Sequence, residues 1–112
     1  IVAEDAATIY KVPLNFLAQD MLTPICKQLE LDECAPKMDE WSNLVNKILM
    51  PKDEMKIAFV GKYLDLKESY KSLTEALIHA GAHLDTRVNI KWVDAEKVEE
   101  DGAQKYLNDC DG

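Results

Sequence analysis

The sequence predicts an α/β protein in which a helical segment and a linker precede the first βαβα of a doubly wound, incomplete parallel sheet. Three observations predict it. Residues 14–49 carry apolar side chains at helical spacing. The apolar, β-branched run KIAFVG, residues 56–61, is typical of a strand covered on both faces, and residues 87–95 alternate apolar and polar side chains. The pattern changes at MPKDE, residues 50–54, which we interpret as a boundary.

Three helices are predicted before this boundary. In PLNFLAQDMLTPICKQLELD the apolar residues recur at intervals of three and four, and Thr23–Pro24 is typical of an N-cap followed by proline, so two short helices are expected. A third is expected over residues 38–49, where Asp39 and Glu40 favour the helix start through its dipole. Its polar side presents these residues to water: Asn43, Asn46 and Lys47.

A βαβα unit with a right-handed crossover is predicted after the boundary. Asp65 and Glu68 have the spacing of a capping box, and Gly81 is expected to end the helix that follows. The inward stripe of that helix is predicted to be Tyr70, Leu73, Leu77 and Ala80. Residues 87–95 form the second strand, and one helix is expected over residues 97–107, KVEEDGAQKYL.

The charge and the cysteines restrict the function classes. The 21 acidic residues outnumber 13 basic ones and give a net charge of −8, which disfavours nucleic-acid binding. Three cysteines without C-x-x-C spacing (Cys26, Cys34, Cys110) predict neither a disulfide framework nor a zinc site, and fit a cytoplasmic setting. No apolar run is long enough to span a bilayer, so no membrane is expected. The first residue, Ile1, and the unfinished last segment predict a fragment.

The turn at Gly61–Lys62 follows a strand and precedes a helix, as a phosphate-binding loop would. It is not a Walker A loop, because Lys56 and Tyr63 occupy the places of the first glycine and of the Ser or Thr that binds magnesium. No G-x-G-x-x-G can be drawn either, so Gly61 is interpreted first as the residue that gives the turn its backbone freedom.

Other chemically suggestive groups have plainer interpretations. His79 and His83 are four residues apart, but Gly81 lies between them and no third ligand is near, so no metal site is predicted. Cys110 has no histidine after it and is interpreted as structural, and no catalytic residue is predicted. An acidic run is interpreted as a solvated face: Glu96, Glu99, Glu100 and Asp101.

Residues 59–81, FVGKYLDLKESYKSLTEALIHAG, resemble the opening of the glutamine amidotransferase domain in the cytidine triphosphate synthases. That family has a strand ending in Val-Gly-Lys-Tyr and a helix of the form Tyr-x-Ser-x-x-Glu-Ala-Leu. Upstream, DAATIYKVP, residues 5–13, is similar to the end of the family's synthetase domain, and EWSNLVNKI, residues 40–48, to its linker helix. The resemblance therefore covers essentially the whole chain.

The resemblance implies three parts: residues 1–36 end the synthetase (amidoligase) domain, residues 37–54 form the linker, and residues 55–112 begin a class I amidotransferase domain with a flavodoxin-like sheet. The family is a ligase of pyrimidine nucleotide biosynthesis that aminates UTP to CTP with ATP, Mg²⁺ and ammonia from glutamine. GTP activates its glutaminase step, and it forms homotetramers that stack into filaments. The fragment alone is expected to be inactive and to bind no cofactor.

The family's site residues carry over at four positions. Asp5 and Ala6 match the place that meets the adenine of ATP, and Lys62 and Tyr63 match a turn on the side where GTP and the two domains meet. The phosphate loop, the nucleophilic cysteine and the His-Glu pair of the family would lie outside this sequence. Two alternatives stay open: a glutaminase-domain fragment of another amidotransferase, and a non-enzymatic flavodoxin-like interaction module.

Overall fold

The computed structural model describes residues 2–32 and 35–112, so Cys34 lies outside the described residues. Helices come first and strands alternate with helices afterwards, in the predicted order. The elements are α1 (Val12–Ala18), α2 (Leu22–Leu29), α3 (Asp39–Leu49), β1 (Asp53–Gly61), α4 (Lys71–His83), β2 (Thr86–Asp94), α5 (Ala95–Asp101) and α6 (Ala103–Leu107). Short 3-10 turns at Ile9–Lys11 and Lys67–Tyr70 lead into α1 and α4.

The two strands pair in parallel, in a continuous register from Asp53 with Thr86 to Gly61 with Asp94. This confirms the α/β class and the incomplete flavodoxin-like sheet. The final residues lie along the other edge of β1, where Asp111 N donates to the Lys56 carbonyl and Ala58 N donates to the Gly112 carbonyl, both at 2.8 Å. Both segments advance in the same direction, so the last residues occupy a third parallel position, in the order that a flavodoxin-like sheet adopts.

The structure is extended and buries little. Its radius of gyration is 19.5 Å and its longest dimension 63 Å, whereas a compact domain of this length has a radius near about 13 Å. Its accessible surface is 8534 Å², against about 6,200 Å² for a compact monomer of this mass. The buried apolar residues of the described part are Cys26, Val45, Ala82 and Val93. Within the described residues, no helix is long and apolar enough to cross a membrane.

Gly81 does not end α4, contrary to the prediction. The helix continues to His83, and Asp85 adopts the left-handed conformation (φ 58°) after it. Gly81 is buried against β2, and a Cβ atom there would lie 2.4 Å from the Thr86 carbonyl oxygen and 3.0 Å from Val88 Cγ2. This glycine therefore allows α4 to approach β2 closely.

Two predicted caps are also wrong. Asp65 and Glu68 form no capping box, because a 3-10 turn intervenes and α4 begins after Tyr70 without a side-chain cap. Helix α2 begins at Leu22, one residue before the predicted N-cap. The hydroxyl of Thr23 instead donates back to Asp20 Oδ1 at 2.8 Å.

The buried face of α4 and the extent of the last predicted helix differ from the prediction. Leu73 and Ala80 are exposed, while Ile78 is half-buried and Ala82 buried on α4. The 3-10 turn before α4 has three residues per turn, which rotates the helix relative to a continuous 3.6-residue pattern. The single helix expected over residues 97–107 is divided into α5 and α6 by Gly102, whose φ is 91°.

Asp109 ties the chain end to both strands. Its carboxylate accepts from Lys91 Nζ at 2.5 Å and from Lys56 Nζ at 3.0 Å. The hydrogen bond from Lys91, and then that from Lys56, hold the pKa of Asp109 well below its ordinary value. Lys91 also donates to the Tyr106 carbonyl oxygen at 2.7 Å, which fixes the end of α6 over β2.

We expect the stability of the chain to fall as the pH drops from about 5 towards 2. The pKa of Asp109 is lower in the folded state, so its contribution is complete above the unfolded-state pKa and is lost as the pH falls through the folded-state pKa. Urea midpoints measured across this range test it, with Asp109→Asn as the comparison. If the variant shows the same pH slope as the parent chain, Asp109 does not contribute.

Candidate functional site

The carboxyl ends of β1 and β2 form the edge at which an open α/β sheet binds its ligands. Gly61 and Asp94, the last residues of the two strands, are paired in the parallel register. Lys62 and Tyr63 follow Gly61 directly, and Glu96 stands at the start of α5 beside them. The two residues predicted for the nucleotide side of the second domain therefore lie at the expected edge.

The turn at Lys62–Tyr63 is held in one conformation. Tyr63 adopts a left-handed backbone (φ 56°), which is uncommon for a residue with a bulky side chain. The Tyr70 hydroxyl donates to the Lys62 carbonyl oxygen at 2.6 Å, and Leu66 N donates to the Tyr63 carbonyl oxygen at 3.0 Å. Tyr63 is 79% exposed. Strained residues that the surroundings fix in this way are concentrated at ligand sites.

Aromatic side chains support the turn from inside. The ring centroids of Phe59 and Tyr70 are 4.9 Å apart, and those of Phe59 and Trp92 are 4.8 Å apart. Lys67 Nζ lies 5.7 Å from the Trp92 ring centroid. Since Tyr70 both packs in this cluster and bonds to the turn, the position of Lys62 depends on the packing between β1, β2 and the start of α4.

A shallow depression of about 230 Å³ lies at this edge. It is lined by Lys62, Tyr63, Leu64, Asp65, Asp94 and Glu96. The ammonium of Lys62 lies 3.5 Å from Glu96 Oε1, and both side chains are more than half exposed. Such surface pairs contribute little, so Lys62 can exchange this carboxylate for another anion.

The acidic groups of the depression have local roles. Asp94 caps α5, because its Oδ1 accepts from Glu96 N at 2.9 Å. No group of three His, Cys, Asp or Glu side chains within residues 2–32 and 35–112 is arranged to hold a metal ion. Within the described residues, the depression therefore offers a potential ligand one cation, the Lys62 ammonium, and one exposed aromatic side chain, that of Tyr63.

Asp5 and Ala6 lie in the segment before the first 3-10 turn. Asp5 is exposed and Ala6 is half-buried. The depression that Lys62 and Tyr63 line includes neither of them, so the structure does not bring the two predicted pairs together there. Their role towards adenine stays a prediction.

His79 and His83 both lie within α4, because this helix passes through Gly81. Contrary to the prediction, no helix end separates these two histidines. His79 Nε2 contacts the Tyr10 hydroxyl and lies 4.0 Å from Glu75 Oε2. Sequence reasoning missed this cluster, since the partners of the Tyr10 hydroxyl are 65 and 69 positions away in the chain.

The remaining candidates are accounted for locally. Cys110 Sγ lies 3.7 Å from Asp109 Oδ1, a weak contact between neighbours. Within the acidic run, Asp101 accepts hydrogen bonds from Lys105 Nζ at 2.7 Å and from the Tyr106 hydroxyl. Glu99 and Glu100 are exposed, as a solvated face requires.

Comparison with known proteins gives close relatives. The chain is 62% identical to a CTP synthase of Sulfurimonas denitrificans over 111 residues, which are 99% of this chain and 20% of that protein. It is 64% identical to the CTP synthase of Wolinella succinogenes over 104 residues, 93% of this chain and 19% of the relative. It is 66% identical to the CTP synthase of Helicobacter hepaticus over 96 residues, 86% of this chain and 18% of the relative.

No protein-family model matches the chain. The match to the Sulfurimonas denitrificans protein nevertheless extends over 111 of the 112 residues. The chain spans about a fifth of the length of the curated relatives it matches. By sequence, this chain belongs to the CTP synthase family and corresponds to one segment of its members.

Proposed function

We propose that this chain is the part of a CTP-forming ligase that joins the synthetase half to the glutaminase half. The observation that carries the proposal is the 62% identity to a CTP synthase over 99% of the chain. We assign residues 1–36 to the end of the synthetase domain, residues 37–54 to the linker and residues 55–112 to the start of the amidotransferase domain. Helix α3 and the start of β1 at Asp53 are compatible with this division.

The parent enzyme aminates UTP to CTP with ATP and ammonia released from glutamine. ATP phosphorylates the 4-oxygen of uracil and leaves as ADP, and ammonia then attacks the same carbon and displaces the phosphate. A bound Mg²⁺ would neutralise the phosphates of the nucleotide. We assign Mg²⁺ to the intact enzyme and its nucleotides. This chain contributes the connection between the two halves, and we expect it alone to form no CTP and to hydrolyse no glutamine.

Lys62 and Tyr63 are assigned to the recognition of the GTP activator, or to the interdomain contact beside it. Three features support this: the position at the carboxyl edge of the sheet, the fixed turn, and the exposed Lys62 ammonium and Tyr63 ring. An ammonium can pair with a phosphate, and a tyrosine ring can stack on a base. Asp5 and Ala6 are assigned to the adenine of ATP by resemblance to the family. We also propose a cytoplasmic homotetramer that is able to stack into filaments.

In the intact enzyme, we expect Lys62→Ala to raise the GTP concentration for half-maximal activation of glutamine hydrolysis by about tenfold, because one charge-assisted contact is lost. Titrations with GTP at fixed glutamine measure it. Lys71→Ala is the matched control, since Lys71 is an exposed lysine at the start of α4. An unchanged GTP response in Lys62→Ala would remove Lys62 from the activator site.

The two alternative functions are less well supported. A glutaminase domain of another biosynthetic enzyme need not match upstream of β1, whereas the identity to CTP synthases extends over 111 of the 112 residues. A non-enzymatic flavodoxin-like module predicts no such relationship to ligases. Assay of the intact enzyme with UTP, ATP and glutamine decides between them, because only a CTP synthase forms CTP.

A further inference from the structure

Tyr10 lies where three parts of the chain meet. It belongs to the 3-10 turn before α1, its carbonyl oxygen accepts from Trp41 Nε1 of α3 at 2.7 Å, and its hydroxyl contacts α4. The hydroxyl donates to Glu75 Oε2 at 2.9 Å and also contacts His79 Nε2. One residue thus joins the segment before the linker, the linker helix and the first helix of the sheet domain.

The protons of this cluster can be assigned. A phenol has one proton, and a carboxylate can only accept, so the Tyr10 proton points to Glu75. The second contact is then satisfied when His79 Nε2 carries a proton and donates to the phenol oxygen. Partial burial, and then the hydrogen bond to Glu75, raise the pKa of Tyr10, which keeps the phenol a donor.

The rings reinforce the polar contacts. The Tyr10 ring meets the His79 ring edge-on with centroids 5.4 Å apart, and its centroid lies 6.2 Å from that of Trp41. Val45 of α3 is only 3% exposed, and α3 packs on α4. The linker helix therefore supports Tyr10 from one side while α4 provides its partners on the other.

Within the described residues, the two contacts of the Tyr10 hydroxyl are the only hydrogen bonds that join residues 2–32 to residues 53–112. No ion pair between described side chains joins these two parts. The side chains of Glu75 and His79 are 29% and 57% exposed, so water can replace Tyr10 as their partner. A contact of this kind can open and close without disturbing the core of either part.

We propose that the contact of the Tyr10 hydroxyl with Glu75 and His79, which we call the Tyr10 latch, makes Tyr10 a positioning residue that couples the synthetase and glutaminase halves. The inference rests on the proposed function. On one side of the latch, Tyr10 lies four residues after Ala6, in the part of the chain assigned to ATP. On the other side, its partners lie on α4, the helix that follows the Lys62–Tyr63 turn. A closed latch holds the two sides in one relative arrangement.

Tyr10→Phe in the intact enzyme tests the coupling, because it removes the hydroxyl and keeps the ring. We expect the CTP formed per glutamine hydrolysed to fall about fivefold, because the hydroxyl loses its partly buried hydrogen bond to Glu75 and its exposed contact with His79. CTP formation from added ammonia, which does not need the glutaminase half, should change less than twofold. Tyr106→Phe is the matched control, since its hydroxyl bonds to Asp101 without joining the two parts.

A second measurement does not depend on activity. Tryptic cleavage after Lys11, which is exposed and adjoins Tyr10, should accelerate about fivefold in Tyr10→Phe and in Glu75→Ala, but not in Tyr106→Phe. The double variant Tyr10→Phe/Glu75→Ala should add little to either single one, because both break the same contact.

The two measurements separate failure of the latch from failure of the proposed function. If the wild-type enzyme forms CTP but Tyr10→Phe keeps the parental ratio of CTP to glutamine, the coupling role is wrong. Equal cleavage rates in all variants would contradict the latch itself. A wild-type enzyme that forms no CTP from UTP would overturn the proposed function, and the coupling role with it.

Discussion

Replacing Gly81 with valine should lower the free energy of unfolding by about 3 kcal/mol, the upper range for overpacking a core position. A Cβ atom at this position would lie 2.4 Å from the Thr86 carbonyl oxygen, which belongs to the backbone of β2 and cannot rotate away. Helix α4 would have to move off the strand. Urea denaturation followed by circular dichroism measures the change.

The matched control for this substitution is Ala80→Val. Ala80 precedes Gly81 on the same helix and is exposed, so the change should cost only the helix-propensity difference of about 0.6 kcal/mol. Valine has a somewhat better helix propensity than glycine, and propensity alone predicts no loss at Gly81. A Gly81→Val variant as stable as the control would show that α4 and β2 do not approach as closely as described.

Replacing Val93 with aspartate should destabilise the chain by about 3 to 4 kcal/mol at pH 7, because it places a carboxylate in an apolar site. Val93 lies near the end of β2 and is 3% exposed. A buried carboxyl group binds a proton more readily, so the destabilisation should be smaller at pH 5 than at pH 7. Urea midpoints at the two pH values measure it.

Val60→Asp is the matched control, because Val60 is the register partner of Val93 in β1 and points to the same face of the sheet. Val60 is 44% exposed, so its replacement should cost about 1 kcal/mol or less. Similar losses at Val60 and Val93 would mean that Val93 is not buried as described.

Local patterns were sufficient to predict the elements that carry a strong repeat. Helix α3 begins within one residue of its predicted start, and β2 is displaced by one residue from its predicted span. The placement of Lys62 and Tyr63 at the carboxyl edge also followed from sequence, because a residue that ends a parallel strand lies there in any such sheet.

The errors arise where a distant group determines the structure. Gly81 has the sequence properties of a helix end, but the Thr86 carbonyl explains its presence, and a pattern of apolar residues contains no information about that oxygen. Tyr10 is similar, since the partners of its hydroxyl are 65 and 69 positions away. In both cases the tertiary contact outweighs the local preference.

The register of the sheet also has a consequence for the timing of synthesis. Every residue of β1 pairs with one that is 33 positions later in the chain. At typical translation rates, β1 therefore waits roughly 2 to 7 seconds on the ribosome before β2 is available. During this interval its apolar run is an unpaired strand and a target for chaperones. Helix α4, which forms from local contacts much faster, can bring the two strands together as soon as β2 emerges.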